Sequence, residues 1–467
     1  MTEAATVLAA GAVATAEAIA DGRTSARAVV ETTLARIAAG NDRLHAFITV
    51  LAEEARAEAD MLDALQARGQ HRGPLHGVPV AVKDIIDVSG QRTRAGSITR
   101  DHLPAAAADA WCVSRLRAAG AIVVGKTHTV EYAFGGWGTN PIAGTPVNPH
   151  DGATHRVPGG SSSGTGVAVG AGLVPIGFGT DTGGSVRLPA AWCGTVGHKT
   201  SMGLVSRAGV VPLALHFDTI GPLARSVRDA AVMSQVMLGS DPADTSTEGA
   251  PGLDLVAGLE MGVRGLTLGV LALDPGIAVD PAVAASFNAA AAALEKAGAR
   301  LVSVSLPESL QAYTQSCGDL MMVEGAHHHG DLAREAPSRL GEWAARRIGG
   351  GFDIAATRYF AGVETRRLRM AAANALLVDN GIDALILPTT PAPAVALSQV
   401  DETAAPGIFT RFANYLEWCG VSVPVAPTPT GLPIGFQIVA PQFRDAMALR
   451  IARSVERAVG GPLPLPA

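Results

Sequence analysis

Lysine is scarce in this 467-residue chain. Only four of its 36 basic residues are lysines, namely Lys83, Lys126, Lys199 and Lys296, and arginine supplies the other 32. Arginine is therefore the default surface cation of this protein. A lysine that lies inside an apolar stretch, as Lys83 does in 78-VPVAVKDIIDV-88, becomes a candidate for chemistry rather than for solvation.

Long hydrophobic runs and paired cysteines are also missing. No run reaches the roughly 18 apolar residues of a membrane span, and the apolar N-terminus carries Glu3, which favours an amphipathic helix over a secretion signal. The four cysteines show no C-x-x-C spacing, which indicates reduced thiols and a cytoplasmic protein. A net charge of −6 argues against nucleic acid and anionic membranes as partners.

Apolar runs alternate with helical patterns along most of the chain, and hydrophobic residues make up 48% of it. This alternation predicts an α/β fold in which helices cover both faces of a mixed, twisted β-sheet. We expect one domain over 1–467, with a helical N-terminal region at 1–70. A helical insertion at 310–380 is expected to cover the active site.

Two glycine–serine loops, 159-GGSSSGTG-166 and 180-TDTGGSVRLP-189, carry the strongest chemical signal. The first loop lacks the lysine of a phosphate-binding loop and the preceding apolar strand of a nucleophile elbow, so a plain surface loop is its main alternative. The second loop follows the apolar run 173-LVPIGFG-179. Its consecutive glycines can aim backbone N–H groups at one carbonyl oxygen, with Ser185 as the nucleophile.

A serine nucleophile needs a base. His198 and His216 are possible bases, although neither has a carboxylate beside it in a recognisable pattern. Lys83 is the alternative, because burial disfavours an ammonium and lowers its pKa. A salt bridge from Lys83 to Asp84 or Asp87 would instead give this lysine a structural role.

Six stretches together resemble the amidase signature family of serine hydrolases, in the family's order and over roughly residues 24–460. They are GVPVAVKD, VPGGSSSGTG, GTDTGGSVRLPAAWCGTVGHK, DTIGPLARSVRDAA, LPTTPAPA and GLPIGFQIVAP. The resemblance implies a Ser–Ser–Lys triad in which Ser185 is the nucleophile, Ser161 the bridging serine after a cis peptide bond from Gly160, and Lys83 the base.

The same resemblance implies an oxyanion hole made by the backbone of Thr182, Gly183, Gly184 and Ser185. No cofactor and no metal are expected. Ser162 and Ser163 are expected to hold their loop, and Asp181 to orient the second loop. The chain departs from the family at Gly197-His198-Lys199-Thr200 and at Trp192, and its histidine run 327–329 is interpreted as a solvated turn.

The resemblance implies hydrolysis of a small apolar or aryl amide, with carbamates and esters left open. The segments 132–140 and 310–380 are candidates for setting specificity. The A component of a glutamine-dependent tRNA amidotransferase is the alternative, but Leu188 stands where that component has glutamine. A Ser-His-Asp esterase is the mechanistic rival, and a homodimer is a family-level expectation.

Overall fold

The computed structural model describes residues 2–335 and 338–466, and the eleven strands in them form one mixed sheet. The strands follow the order β1-β3-β2-β4-β6-β5-β10-β11-β9-β7-β8 across the sheet. They are β1 Phe47–Val50, β2 Pro79–Lys83, β3 Ile122–Thr127, β4 Ile176–Asp181, β5 Val196–Lys199, β6 Thr219–Ala224, β7 Thr267–Leu271, β8 Arg300–Val304, β9 Ala384–Pro388, β10 Cys419–Val425 and β11 Ile434–Ala440.

Fourteen α-helices accompany the sheet in the described ranges. They are α1 Glu3–Ala10, α2 Ala12–Ala20, α3 Ala26–Leu44, α4 Ala52–Gln66, α5 Trp111–Ala118, α6 Ser163–Gly170, α7 Arg187–Cys193, α8 Val227–Met237, α9 Pro281–Lys296, α10 Leu310–Arg334, α11 Glu342–Gly349, α12 Ala356–Asp379, α13 Arg411–Tyr415 and α14 Asp445–Ala458.

Both faces of the sheet are covered. Successive residues of a strand point to opposite faces, and in β2 Val80 and Val82 belong to one hydrophobic cluster while Ala81 belongs to another. In β3 Val123 lies in the first cluster, whereas Ile122 and Val124 lie in the second. The expected α/β fold with a covered mixed sheet is therefore confirmed.

The N-terminal region 1–70 is not purely helical. Helix α3 ends at Leu44, and His45 follows it in a left-handed conformation. The Asn41 side chain bonds both backbone groups of Phe47, at 2.7 and 3.0 Å. These contacts turn the chain into β1, which pairs antiparallel with β3 before α4 begins. The helical pattern of the sequence therefore did not predict β1, a four-residue strand at the edge of the sheet.

Parallel pairing of β2 and β4 positions the site. Val80 lies beside Ile176 and Val82 beside Phe178, so the two strands end at the same edge of the sheet. Lys83 is the last residue of β2, while Thr180 and Asp181 are the last two residues of β4. In open α/β sheets this carboxyl edge is the usual place for a ligand site.

Segment 310–380, apart from residues 336 and 337, which lie outside the described ranges, contains α10, α11 and α12. The histidine run is not a solvated turn, because it lies within α10. His329 is buried there and its ring bonds the Pro212 carbonyl at 2.7 Å. Burial lowers the pKa of His329 to about 4, so the ring is neutral at physiological pH.

The cysteines and the helices also bear on what the composition indicated. All four cysteines are buried free thiols. In the described part of the chain, no helix is both long and apolar enough to cross a lipid bilayer.

Candidate active site

Lys83 is completely buried at the end of β2. Its Nζ lies 2.8 Å from Ser161 Oγ and 2.8 Å from Thr180 Oγ1, both within hydrogen-bonding distance. Burial lowers the pKa of Lys83 from 10.5 to about 7, although the negative charges of Asp218 and Asp181 act in the opposite direction. A large fraction of this amine is therefore uncharged near neutral pH. The salt bridge to Asp84 or Asp87 is not formed, since Asp84 pairs with Lys126 at 2.7 Å.

Ser161 lies in the first glycine–serine loop, just before α6. Its hydroxyl is buried against Lys83, and the Gly160–Ser161 peptide bond is cis, as the family resemblance implied. The next two serines hold the loop in place, since Ser162 Oγ donates to the Thr180 carbonyl at 3.2 Å and Ser163 Oγ donates to the His128 carbonyl at 3.4 Å. Of the three adjacent serines, only Ser161 contacts the lysine.

Asp181 organises the loop that carries Ser185. Its carboxylate accepts the N–H of Gly184 at 2.7 Å and that of Val186 at 3.1 Å, and it pairs with the buried guanidinium of Arg187 at 2.9 Å. Burial alone would raise the pKa of Asp181, but the Arg187 charge holds it well below its ordinary value. Asp181 therefore stays ionised and fixes the turn, as expected for an orienting residue.

Gly184 does not take the role expected for it. Its N–H is used by Asp181, so it is not available to an oxyanion. Its φ of +127° and the closeness of Thr410 Oγ1 to the position of a Cβ atom make glycine necessary there for conformational reasons.

The N–H groups of Thr182, Gly183 and Ser185 find no acceptor in the described chain. Thr182 is also held through its side chain, whose hydroxyl donates to Asp218 Oδ1 at 2.6 Å. Burial raises the pKa of Asp218. The free amides of this loop are the groups that can stabilise negative charge on a carbonyl oxygen.

Ser185 lies at the wall of a cavity of about 510 Å³, here called the main cavity. Its hydroxyl forms no hydrogen bond to any described residue. The two loops meet through the backbone, where Ser162 N–H donates to the Ser185 carbonyl at 3.2 Å. The structure thus joins Lys83 to Ser161 directly, and joins the Ser161 loop to Ser185 through the main chain.

The main cavity is lined by a set of apolar side chains, here called its apolar side, and by two arginines. Phe134, Leu188, Met321, Met322, Pro406 and Ile408 supply the apolar side. Arg347 and Arg411 supply the charge, and α10 and α11 of segment 310–380 form part of the wall. Two aromatic residues of segment 310–380 do not line the main cavity: Tyr313 packs edge-on against Tyr415, and Trp343 lines a smaller neighbouring cavity.

The histidines considered as bases lie away from the main cavity. The buried ring of His198 bonds Ser234 and Asp445, at 2.8 and 3.1 Å. His216 bonds Glu324 at 2.7 Å. Neither histidine lines the main cavity.

Sequence reasoning missed four residues of this site, namely Thr180, Asp218, Arg187 and Arg411. Thr180 and Arg187 are inside the quoted motif, but the contact of Thr180 with Lys83 depends on the register of β2 against β4, and that of Arg187 with Asp181 depends on the turn between β4 and α7. Arg411 lies 226 residues after Ser185, and no local signal connects the two.

Comparisons with known proteins identify the family. The Amidase family model matches residues 28–449. The chain is 39% identical to the A component of the glutamyl-tRNA(Gln) amidotransferase of Anaeromyxobacter dehalogenans (strain 2CP-C), over 95% of this chain and 94% of that protein. It is 37% identical to AtzE, a component of the 1-carboxybiuret hydrolase of Pseudomonas sp. (strain ADP), over 94% of this chain and 96% of that one.

Among solved structures, the native peptide amidase from Stenotrophomonas maltophilia matches with a TM-score of 0.86. The two chains are 30% identical, and the match covers 97% of each. The fold, the family model and these relatives agree, so the chain belongs to the amidase signature family, an enzyme acting on carbon–nitrogen bonds.

Proposed function

We propose that this protein hydrolyses the amide bond of a small molecule through an acyl-enzyme formed on Ser185, with Ser161 as the bridging hydroxyl and Lys83 as the base. The observation that carries the proposal is the buried Lys83 amine. It contacts two hydroxyls, one of them in the loop that meets Ser185, and its pKa of about 7 makes it available as a base near neutral pH.

In the first half-reaction, the lone pair of neutral Lys83 accepts the Ser161 proton while one amine N–H donates to Thr180 Oγ1. Ser161 in turn accepts the proton of Ser185, whose Oγ bonds to the substrate carbonyl carbon. The carbonyl oxygen becomes an oxyanion, which the N–H groups of Thr182, Gly183 and Ser185 stabilise. Contacts between catalytic hydroxyls commonly shorten when substrate is bound, as the Ser161–Ser185 step requires.

Collapse of the tetrahedral intermediate breaks the C–N bond. The proton held by Lys83 returns through Ser161 to the leaving nitrogen, which departs as a neutral amine or ammonia. A water molecule then donates its proton to the same relay and attacks the ester carbonyl. Release of the carboxylic acid restores the Ser185 hydroxyl, so protons balance over the cycle.

The apolar side of the main cavity favours an apolar or aryl acyl group, with carbamates and esters open to the same chemistry. We propose that the enzyme acts in the cytoplasm as a single amidase domain over 1–467. In this proposal segment 310–380 covers the site, and the enzyme needs no nucleic acid. A homodimer stays a prediction.

The similarity to the A component of an amidotransferase makes that function the second candidate. Experiment can distinguish the two candidate functions, because an amidotransferase component depends on partner proteins and on glutamine as nitrogen donor. Purified protein that hydrolyses simple amides alone, and glutamine no faster than other amides, supports the amidase.

The test is a panel of primary amides, anilides, carbamates and esters, with ammonia or amine release as the readout. Ser185→Ala is expected to lower turnover of every substrate by about 10⁵-fold or more. Ser114→Ala, at an exposed serine of α5, is the control and should match the wild type. Hydrolysis that survives in Ser185→Ala would contradict the proposal, as would no hydrolysis of any panel member by the wild type.

A further inference from the structure

Arg411 is a cation of the main cavity that pairs with no carboxylate in the part of the chain that the structure describes. It is the first residue of α13 and lines the cavity together with Ser185 and Gly183. Within the described residues its guanidinium makes one long hydrogen bond, from Nη1 to the Thr314 carbonyl at 3.4 Å. Burial lowers the pKa of Arg411, and no carboxylate in the described chain offsets that cost.

The other charges of the cavity wall neutralise one another. Arg347 pairs with Glu402 at 2.6 Å, and Glu402 also accepts the Thr139 hydroxyl. Arg187, behind the nucleophile loop, is paired with Asp181. Among the described residues that line the main cavity, Arg411 is therefore the one whose charge is not compensated.

The backbone holds Arg411 over the nucleophile loop. Thr410 Oγ1 donates to the Gly183 carbonyl at 2.7 Å, and Arg187 Nη1 donates to the Thr410 carbonyl at 2.9 Å. As a result Arg411 Nε lies 3.5 Å from the point where a Cβ of Gly183 would be. The guanidinium thus lies next to Gly183, one of the three residues whose N–H groups are free for the oxyanion.

We infer that Arg411 binds a carboxylate of the substrate, so that the proposed amidase acts on short amides whose acyl part ends in a carboxylate. A guanidinium fork and a carboxylate form two parallel hydrogen bonds. The half-buried Arg411, which has no acidic partner among the described residues, can offer this geometry to a ligand. This inference rests on the function proposed above. The inference adds the chemical class of the substrate to that function. The apolar side of the cavity would hold the carbon chain between the reacting amide and the carboxylate.

The experiment compares two pairs of amides that differ in one group. Succinamate and glutaramate carry a carboxylate where succinamide and glutaramide carry a second neutral amide. We expect wild-type kcat/KM to favour the carboxylates. In Arg411→Gln the ratio between carboxylate and diamide should fall about 100-fold, equivalent to about 2.7 kcal/mol.

Arg411→Lys keeps the charge but loses the planar fork, so its ratio should lie between those of wild type and Arg411→Gln. Arg346→Gln removes an exposed arginine of α11 that does not line the main cavity, and it should leave the ratio unchanged. Thermal melting shows whether each variant folds. If Arg411→Gln does not fold, the test relies on Arg411→Lys. A folded Arg411→Lys protein with the wild-type ratio of kcat/KM between carboxylate and diamide overturns the inference.

A second readout separates this inference from the proposed function. Glutarate binding to Ser185→Ala protein, measured by calorimetry, should weaken about 100-fold when Arg411→Gln is added. If no amide is hydrolysed but glutarate binding depends on Arg411, the proposed function fails and the anion site stands. If diamides and carboxylates are hydrolysed with the same ratio in wild type and Arg411→Gln, the anion site fails alone.

Discussion

The first of two polar groups in the molecule lies at the carboxyl edge of β2 and β4 and consists of Lys83, Ser161 and Ser185. The second lies where β5, α8 and α14 meet and consists of His198, Ser234 and Asp445. The second group has the hydrogen bonds of a conventional serine triad, with the imidazole between a hydroxyl at 2.8 Å and a carboxylate at 3.1 Å. All three of its residues are completely buried, and none lines the main cavity.

The two groups differ in whether their polar atoms have access to the main cavity. In the second group every polar atom is used inside the core: Asp445 also accepts the N–H and the hydroxyl of Ser201. In the first group the Ser185 hydroxyl and three backbone N–H groups face an open cavity without partners among the described residues. A hydrogen-bonded Ser-His-Asp arrangement is therefore compatible with a purely structural role, and unsatisfied groups at a cavity indicate the reacting site better.

Removal of the amine from the first group should have the largest effect. Lys83→Met keeps a flexible side chain of similar length in the buried channel but has no lone pair to accept a proton. We expect kcat/KM to fall about 10²- to 10⁴-fold, the range for loss of a general base. Steady-state kinetics on the best amide of the panel measure this.

The matched control for Lys83→Met is Lys296→Met, at an exposed position in the last turn of α9, which should leave kcat/KM unchanged. Activity within tenfold of wild type in a folded Lys83→Met protein would show that another group is the base.

Removal of the imidazole from the second group should affect stability instead. His198→Ala leaves the Asp445 carboxylate and the Ser234 hydroxyl buried with fewer partners and opens a small cavity. We expect a loss of about 3 kcal/mol in the free energy of unfolding, visible as a lower denaturant midpoint. The protein that remains folded should keep wild-type kcat. Loss of kcat with unchanged stability would instead identify His198 as part of the reaction.

The pH dependence of activity should report the Lys83 amine. The neutral amine is the active form and its pKa is about 7, so protonation inactivates the enzyme as pH falls through that value. For a neutral amide, kcat/KM should drop about tenfold per pH unit below this point and level off above it. A profile that stays flat between about pH 5 and 8 would contradict Lys83 as the base.

Sequence reasoning reached the fold class and most strands because the sheet is built from short apolar runs, such as those of β2, β4 and β11, separated by helical patterns. It did not identify β5, β6 and β10 as strands. It also missed β1, because that strand has four residues between two helices. Its direction depends on the Asn41 contacts to Phe47, a feature that hydrophobic periodicity does not carry.

The residues of the candidate site likewise fall into those that local motifs identify and those that only the folded chain brings together. Lys83, Ser161 and Ser185 could be named because each lies in a local motif, whereas Gly184 was misassigned because its N–H direction depends on Asp181. Thr180 required the register of β2 against β4, and Arg411 required the packing of α13 on the Gly183 loop. Both are long-range contacts, which a single sequence does not specify.

The smallest predicted effect is that of a substitution at Asp218. This substitution separates the effect of a nearby charge on the pKa of Lys83 from the effect of burial. Asp218→Asn removes a negative charge that raises the pKa of Lys83, so the acid limb of the pH profile should move to lower pH. Asparagine fits the same contacts: its oxygen can accept the N–H groups of Leu213 and Ala214, and its amide can donate to Thr182 Oγ1.

At about pH 6, kcat/KM of Asp218→Asn should therefore exceed that of wild type about two- to threefold, a change of less than one pKa unit. Above about pH 8 the two enzymes should converge, since Lys83 is neutral in both. Thr219→Ser, which keeps the hydroxyl that donates to the Asp181 carbonyl, serves as the control and should leave the limb in place. A limb that moves to higher pH in Asp218→Asn would mean that the titrating group is not a cation near Asp218, because loss of a negative charge can only lower the pKa of a neighbouring ammonium.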